Sequence, residues 1–347
     1  MEVGIDSFAI AYKVGKTGDP ADSADHLQQL LRKIVTADAA GLDVFGVGEH
    51  HRQEFLDSAP VVSLSAAAAL TKRIRLTSAV TVLSAADPVR VFQEHATLDL
   101  ISKGRAEMVA GRGSLTEAFP LFGYRMEDYD ELFDEKLDLL LQIREKAQVH
   151  WSGRFRPALT GQGVYPRPLQ NPFPIWVGVG GSPESFVRAG QHGLPLMIAI
   201  IGGETRRFRP LVDLYYEAGK KAGHPREHLK VGVHAIGYVA GTTEEAIGDF
   251  YPGYAQTMNS FGKERGFPNF DRARFDLYRN QEGSLLVGSP GEIVQKIRHQ
   301  SEELGGISRL TFQMDVAGAE MPPEKILASI ELIGREVVPA LKSVRAG

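Results

Sequence analysis

The sequence contains no cysteine, and this absence excludes three kinds of chemistry at once. Without thiols the chain forms no disulfide, offers no thiolate to a metal and has no cysteine nucleophile. Excess charge is also small, since the formal net charge is −4 over 347 residues. A chain this close to neutrality has no field that attracts nucleic acid or an anionic membrane, so neither is expected as a partner.

Long hydrophobic runs are missing as well. An apolar stretch such as 194–201 is far shorter than the roughly 20 residues that cross a bilayer. The first residues, Met1 to Asp6, are acidic and have the pattern of a strand, whereas a secretion signal has a basic start and an apolar centre. We therefore expect a cytoplasmic protein without a membrane segment.

What the sequence does contain is a regular alternation of two patterns. Eight short apolar, strand-like runs are each followed by a segment with apolar residues at helical spacing. This alternation predicts an α/β fold, a (β/α)8 TIM barrel of parallel strands that the eighth strand closes. No linker or repeat interrupts it, so residues 1–347 are expected to form a single domain. The strand-like runs are 3–10, 43–47, 74–83, 106–110, 174–179, 194–201, 230–239 and 309–314.

Two insertions interrupt the alternation, after the fourth and the seventh strands. Residues 149–168 are rich in Gly and Pro, which is typical of a β-hairpin excursion. Residues 262–288 mix Lys, Arg, Asp, Phe and Tyr without a period, which predicts a mobile insertion or lid. The next segment, Ser289-Pro290-Gly291-Glu292, has the pattern of a capping box at the start of a helix.

The second strand ends in Glu49-His50-His51. In a barrel the carboxyl ends of the strands form the mouth where substrates bind, and adjacent strand residues point in opposite directions. The two histidines therefore cannot share one task, and a neutral imidazole here could act as a general base or as a hydrogen-bond partner. Two other interpretations stay open, a polar strand end and a metal site. No His-x-His pair or partner at another strand end completes a metal-ligand set.

Two glycine-rich loops follow the fourth and fifth strands. Gly111-Arg112-Gly113-Ser114 places an arginine between glycines, where the backbone approaches a ligand closely and the guanidinium fork fits a phosphate. The segment from Gly178 to Ser185 ends in Ser182-Pro183, typical of a helix N-terminus that presents free N–H groups to an anion. Each loop could also be a plain turn or a capped helix without a ligand.

These loops and His50 together favour a mononucleotide site. A dinucleotide fold is not favoured, because no acidic residue stands at the following strand end to bind a ribose. We expect a phosphate between Arg112 and the Ser182 loop, with a flat ring that reaches toward His50.

At this point the sequence resembles the bacterial luciferase-like family of flavin-dependent monooxygenases, over essentially the whole chain. The run from Leu98 to Gly113 carries much of the resemblance, because several spaced elements match in order. The matching segments are Glu49-His50-His51, Asp87-Pro88-Val89-Arg90, the residues 98–105, Gly111-Arg112-Gly113, Gly180-Gly181-Ser182-Pro183-Glu184-Ser185 and Gly193-Leu194-Pro195.

The resemblance implies a barrel that binds FMN, used in its reduced form, and a monooxygenase. In the family, flavin C4a reacts with O2 and the peroxyflavin attacks a small organic substrate, aldehyde-like or other. A separate NAD(P)H:flavin reductase supplies reduced FMN in two-component members. The family also implies a homodimer, for which the Ala-rich helix 59–70 would suit close packing.

The resemblance also assigns roles to individual residues. His50 matches the catalytic histidine, Glu49 lies beside the flavin edge, and Ala79-Val80 matches a non-prolyl cis peptide under the flavin ring. Residues 262–288 correspond to the lid, and no metal is expected. The phosphate-binding arginine and the loops around the cofactor match Arg112, Gly113, Ser114, Gly180, Gly181, Ser182 and Ser185.

Some positions depart from the luciferases. Gly181 and Ser185 stand where the luciferase α chain has a carboxylate and a threonine, and Ile200 stands where luciferases have a tryptophan near the flavin. The family's reactive cysteine has no counterpart, so light emission is not expected. Three alternatives to the monooxygenase remain: a deazaflavin-dependent hydride-transfer oxidoreductase, a metal-dependent hydrolase and a non-catalytic flavin-binding barrel.

Overall fold

The structure is a computed structural model that describes residues 1–10, 20–266, 268–318 and 321–342. Eight parallel strands form a closed barrel with helices around it, which confirms the predicted fold class. Nearly all strand residues are buried, because helices cover the outside of the parallel sheet and side chains fill its inside. In chain order the barrel strands are Glu2–Ser7, Val44–Val47, Arg75–Ser78, Ala106–Gly111, Ile175–Val179, Leu196–Ile200, Val231–Val239 and Arg309–Gln313.

Parallel pairing closes the barrel. The first strand pairs with the second, with Gly4 opposite Val44, and with the eighth, with Val3 opposite Leu310. The seventh strand pairs with both the sixth and the eighth. A short strand, Thr81–Val82, continues the third and pairs with the end of the fourth. All eight strands therefore end at the same mouth.

Helices surround the sheet, and several begin with a proline, whose missing N–H costs nothing in the first helical turn. The expected capping box at Ser289 is wrong: the Ser289 side chain makes no cap bond, and Glu292 accepts hydrogen bonds from Thr243 and Arg279. Among the described residues, no helix is long and apolar enough to span a bilayer. The α-helices are Pro20–Ala40, Pro60–Leu70, Pro88–Ser102, Ala118–Leu121, Tyr129–Glu145, Pro183–Gln191, Arg209–Lys221, Thr243–Arg265, Arg272–Arg279, Pro290–Leu304, Pro323–Leu332 and Val338–Lys342.

The excursion before the fifth strand is a two-stranded antiparallel sheet. Its strands are Gln148–Trp151 and Leu159–Gly163, and the register shifts between Val149 and His150. This sheet lies inside the range 149–168 that the sequence indicates, apart from its first residue.

Residues 262–288 are more regular than their aperiodic sequence suggests. Except for Phe267, which lies outside the described residues, the segment contains the helix Arg272–Arg279 and the strand Leu286–Gly288. That strand pairs with the end of the seventh barrel strand, and Phe275 is fully buried. The two elements are too short to show a period, which is why the sequence pattern missed them. The lid role of this segment stays a prediction.

Ion pairs fill the opposite, N-terminal end of the barrel. The buried Arg309 donates to Glu107 at 2.6 Å, pairs with Glu2 at 2.7 Å and lies 4.3 Å from the centre of the Trp176 ring. Burial alone would raise the pKa of Glu107, but Arg309 and then Arg75 bring it below its ordinary value. This end is packed, so the open end is the one where the strands terminate.

Candidate active site

A cavity of about 370 Å³ opens at the carboxyl ends of the strands. Its lining is mostly apolar, with one group of polar side chains around Glu49 and His50 and another around Arg112 and Ser182. A mainly apolar cleft of this size with a few convergent polar groups is typical of a small-molecule site. The two polar groups lie on different walls, since the first follows the second strand and the other follows the fourth and fifth strands.

His50 is held between two aromatic rings. Its ring stacks on Phe55 with a centroid distance of 4.2 Å and tilts against Phe8 at 4.6 Å. Burial lowers the pKa of His50 to about 4, and the neighbouring His51 and His234 act in the same direction. The imidazole is therefore neutral at physiological pH. Its Nδ1 atom is buried and makes no hydrogen bond of normal geometry to a described group.

The Glu49 carboxylate is fixed on both oxygens. Oε1 lies 2.9 Å from Nε2 of His51, and Oε2 accepts a hydrogen bond from the Val82 backbone N–H at 2.8 Å. His51 in turn meets the Phe122 ring edge-on at 5.0 Å. His50 and His51 have different partners, as the alternation of strand side chains predicts. His51 orients Glu49, and His50 faces the aromatic wall.

Arginine and two serine hydroxyls form the second polar group. Nη2 of Arg112 donates to Oγ of Ser182 at 2.8 Å, and Ser182 Oγ lies 2.8 Å from Ser185 Oγ. Ser182 is the N-cap residue of the helix Pro183–Gln191, yet its side chain does not cap that helix. The hydroxyls and the guanidinium therefore converge beside a helix N-terminus, an arrangement that suits a phosphate.

Tyr129 supports the arginine from the neighbouring helix. Its ring centre lies 5.0 Å from the Arg112 guanidinium carbon, and its hydroxyl donates to the Gly113 carbonyl at 2.7 Å. Burial raises the pKa of Tyr129, so the hydroxyl stays protonated and keeps this hydrogen bond. The exposed Asp130 pairs with Nη1 of Arg112 at 2.5 Å. The Tyr129 ring, held in place by the Gly113 carbonyl, and the Asp130 carboxylate together fix the position of Arg112.

Val80 forms the floor between the two polar groups. The Ala79–Val80 peptide bond is cis, as the resemblance implied. A Cβ on Gly111 would lie 2.5 Å from Val80 Cγ2, and a Cβ on Gly178 would lie 2.7 Å from Val80 Cγ1. Side chains at those glycines would fill the space that Val80 occupies. By contrast, nothing lies within 4 Å of a Cβ on Gly180 or Gly181, which border the open cavity.

The structure brings ten of the eleven predicted site residues to one cavity. Ser185 is the exception, since it lies behind Ser182 and reaches the site through that hydroxyl. The ten that line the cavity are Glu49, His50, Ala79, Val80, Arg112, Gly113, Ser114, Gly180, Gly181 and Ser182.

Sequence reasoning missed several cavity residues, and Asp6, Phe8, Tyr129 and His234 are the ones with polar or aromatic side chains in contact with the site groups. His234 interrupts an otherwise apolar strand, and Asp6 is a charged residue at a buried strand position; a titratable residue in such a run is the signal that could have drawn notice. Tyr129 carries no such signal, because it begins an ordinary amphipathic helix.

The model of the luciferase-like monooxygenase family matches residues 7–307 of the chain. The chain belongs to this family. Among curated relatives, the alkanal monooxygenase alpha chain of the Kryptophanaron alfredi symbiont is 24% identical over 346 residues, covering 92% of this chain and 94% of the relative.

Solved structures of luciferase-like barrels align along the whole chain. The monooxygenase RslO1 from Streptomyces bottropensis has a TM-score of 0.82 and 25% identity, with 98% of this chain and 99% of that chain covered. Two others share the fold with a TM-score of 0.75. One is the oxygenating component of 3,6-diketocamphane monooxygenase from Pseudomonas putida, in complex with FMN, at 22% identity and 98% coverage of each chain. The other is the coenzyme F420-dependent tetrahydromethanopterin reductase of Methanopyrus kandleri, at 18% identity, covering 98% of this chain and 99% of that one.

The residues of this luciferase-like barrel fit a flavin-type cofactor that carries a phosphate. The converging donors of Arg112 and Ser182 match a phosphate, and the neutral His50 places an imidazole elsewhere in the cavity. The open space beside Gly180 and Gly181 gives a ligand direct access to backbone groups.

A group of possible metal ligands lies elsewhere. Within the described ranges, the one cluster of three or more such side chains is Glu282, His299 and Glu303, and none of them lines the cavity. Zinc normally needs three protein ligands at a catalytic site. The cavity walls therefore do not supply the ligand set that the hydrolase alternative requires.

Proposed function

We propose that this protein is an FMN-dependent monooxygenase that uses reduced FMN and O2 to oxidise a small organic substrate. The observation that carries the proposal is the placement of phosphate donors and a neutral histidine on different walls of one apolar cavity. The 3,6-diketocamphane enzyme, which shares the fold, is described in complex with FMN. When bound, reduced FMN would be the group that reacts with O2.

The chain's own residues would bind and orient the reactants. Arg112 and Ser182 would hold the phosphate, and Ser185 would orient the Ser182 hydroxyl. The rigid Glu49 carboxylate would face the ring edge, and the neutral His50 imidazole would form a hydrogen bond with a polar atom of the bound molecule. The aromatic pair Phe8 and Phe55 would exclude water from that bond.

The segment 262–288 would act as a lid. The helix Thr243–Arg265 leads into it, and Phe261 of that helix stacks on Phe55 at 6.5 Å, next to His50. Movement of the segment would therefore reach the wall around His50. We also propose a homodimer and a separate NAD(P)H:flavin reductase that delivers the reduced cofactor.

An anaerobic titration of the protein with reduced FMN, followed by admission of air, tests the proposal. We expect saturable binding and then a transient absorbance that differs from both oxidised and reduced FMN. NADH and FMN without an added reductase should give no turnover. If FMN binds in neither redox state, the phosphate-site argument is wrong. Binding of reduced F420 with no oxygen uptake would instead establish the deazaflavin alternative.

A further inference from the structure

The carboxylate Asp6 and a third cavity histidine, His234, lie deep in the cavity wall. Nδ1 of His234, on the seventh strand, is 2.6 Å from Oδ2 of Asp6 on the first strand. Asp6 is 2% exposed and His234 is 6% exposed, and both line the cavity. The same carboxylate oxygen accepts a hydrogen bond from the Thr311 hydroxyl on the strand between them. His234 is opposite Thr311 in the sheet, and Asp6 lies two residues beyond Gly4, which is opposite Thr311 on the other side.

This contact favours one tautomer of the His234 ring. An ionised carboxylate only accepts hydrogen bonds, so Nδ1 of His234 is the donor to Asp6. In the neutral ring Nε2 is then a hydrogen-bond acceptor. Within the part of the chain that the structure describes, no group bonds Nε2. The nitrogen that can take a proton is therefore left for a molecule in the cavity.

The position of the pair separates it from the phosphate donors. Asp6 and His234 flank the eighth strand, whereas Arg112 and Ser182 follow the fourth and fifth strands, half a turn away around the barrel. Phe8 lies between the two histidines: its ring is parallel to His234 at 5.5 Å and 4.6 Å from His50. A substrate that lies along Phe8 would reach both imidazoles.

We propose that His234, positioned by Asp6, is a catalytic base that takes the proton of a phenol or enol hydroxyl on the substrate. This inference rests on the proposed function and names the substrate class. In the step, the substrate O–H bond breaks and an N–H bond forms at Nε2. The electron pair stays on the substrate oxygen, and the Asp6 carboxylate balances the charge of the imidazolium.

Phenols and enols fit this base better than aliphatic alcohols do. Their hydroxyl acidity lies closer to that of an imidazolium, so the proton is shared more evenly across the hydrogen bond. The anion left behind is the more easily oxidised form of such a substrate. Around the pair, Phe8, Met197 and Ala199 offer an apolar surface that suits a ring. Asp6 acts through His234 and is therefore a positioning residue.

The probe for this assignment is a matched pair, 4-nitrophenol and 4-nitroanisole, which differ in the hydroxyl proton. Each is titrated into flavin-free protein at a pH where most of the free phenol is protonated. We expect the phenol to bind about tenfold more tightly than the ether, which corresponds to one hydrogen bond, and to show the visible absorbance of the phenolate. D6N and H234F should each lose the phenolate band and the preference for the phenol.

The variants are designed to keep the fold. Phe at position 234 preserves the ring against Phe8, and the double variant D6N/H234F removes the buried charge that H234F would leave unpaired. T311V keeps both members of the pair and should retain the phenolate band. If Asp6 and His234 only stabilise the fold, the bound phenol will stay protonated.

The nitrophenol titration and the FMN titration can fail independently of each other. If wild-type protein shows no phenolate band, whether the phenol fails to bind or stays protonated, the assignment is overturned. The same holds if folded D6N keeps the band. An FMN titration on the same samples tests the phosphate site independently, and D6N and H234F should bind FMN within about twofold of wild type because neither residue contacts Arg112 or Ser182.

Discussion

His50 is neutral because aromatic rings surround it, and this decides what it can do. A buried imidazole with a pKa of about 4 carries no charge at pH 7, so it acts through hydrogen bonds and not as a fixed cation. The same burial that removes water from the ring also strengthens any hydrogen bond made there.

Replacement of His50 by Asn therefore tests catalysis apart from binding. We expect turnover with reduced FMN and O2 to fall about 100-fold, the usual range for loss of a positioned acid–base group. The affinity for FMN should change less than threefold, because the phosphate donors are untouched. Stopped-flow kinetics and equilibrium titration measure the two quantities. His150→Asn, in the antiparallel sheet away from the cavity, is the matched control. Equal turnover in both variants would contradict the role of His50.

The buried His95, away from the cavity, makes the stability of the fold depend on pH. Burial lowers the pKa of His95 to about 4, and its Nδ1 bonds the Val91 carbonyl at 2.9 Å. Between pH 6.5 and pH 4 the unfolded chain binds a proton at this ring and the folded chain does not. The free energy of unfolding therefore falls as the pH falls, by at most about 1.4 kcal/mol per pH unit for one histidine.

The variant H95F removes this titration while it keeps an aromatic ring next to Phe173. Urea unfolding of both proteins at pH 7 and pH 5 gives the difference in slope. We expect wild type to lose more stability than H95F over that interval, by roughly 1–2 kcal/mol. Equal losses would show that His95 is not held neutral by burial. Comparison of the two proteins cancels the contribution of the other titrating groups.

At the scale of elements, the loops after the fourth and fifth strands use glycine for different reasons. An added methyl at Gly111 would meet the Cβ and Cγ atoms of Val80, within 3.1 Å and close to the backbone, so the floor of the cavity would have to move. An added methyl at Gly181 would meet nothing and would project into open space at the predicted phosphate loop. One glycine serves packing within the barrel, and the other leaves room for a ligand.

Two alanine variants separate these reasons. G111A should lower the stability of flavin-free protein by roughly 1–3 kcal/mol, the usual cost of overpacking. G181A should leave that stability unchanged or slightly higher and should weaken FMN binding at least tenfold, because the methyl occupies the ligand's space. Thermal unfolding without flavin and an FMN titration measure both effects. Tight FMN binding by G181A would place the phosphate elsewhere.

Over the whole molecule, the sequence predicts what is local and misses what joins distant segments. The eight strands follow from apolar runs between helical periods, and the Glu49-His50-His51 and Gly-rich ends follow from barrel topology. The Asp6–His234 contact spans 228 residues, and the sequence pattern contains no sign of that pairing. The sequence pattern likewise contains no sign of the Arg309–Glu107 pair at the N-terminal end of the barrel, because its two residues are 202 positions apart.

Assembly is the remaining property at this scale. Four exposed apolar residues follow one face of the helix Pro60–Leu70, and this helix packs beside the helix Pro88–Ser102. Spacings of four, three and one place them on a single stripe, and two of them are alanines that allow close approach of another helix. The stripe consists of Val62, Ala66, Ala69 and Leu70. An apolar stripe on an otherwise polar surface is typical of an interface between chains.

We therefore expect the protein to sediment at twice its chain mass of 37.9 kDa at micromolar concentration. V62E places a charge on the predicted apolar stripe and should raise the dissociation constant at least 100-fold, because a buried unpaired charge costs several kcal/mol. The control is L277E, which puts the same charge on an exposed leucine of the helix Arg272–Arg279 and should remain dimeric. FMN titration confirms that each variant is folded. A monomeric wild type, or a dimeric V62E, would move the interface away from this helix.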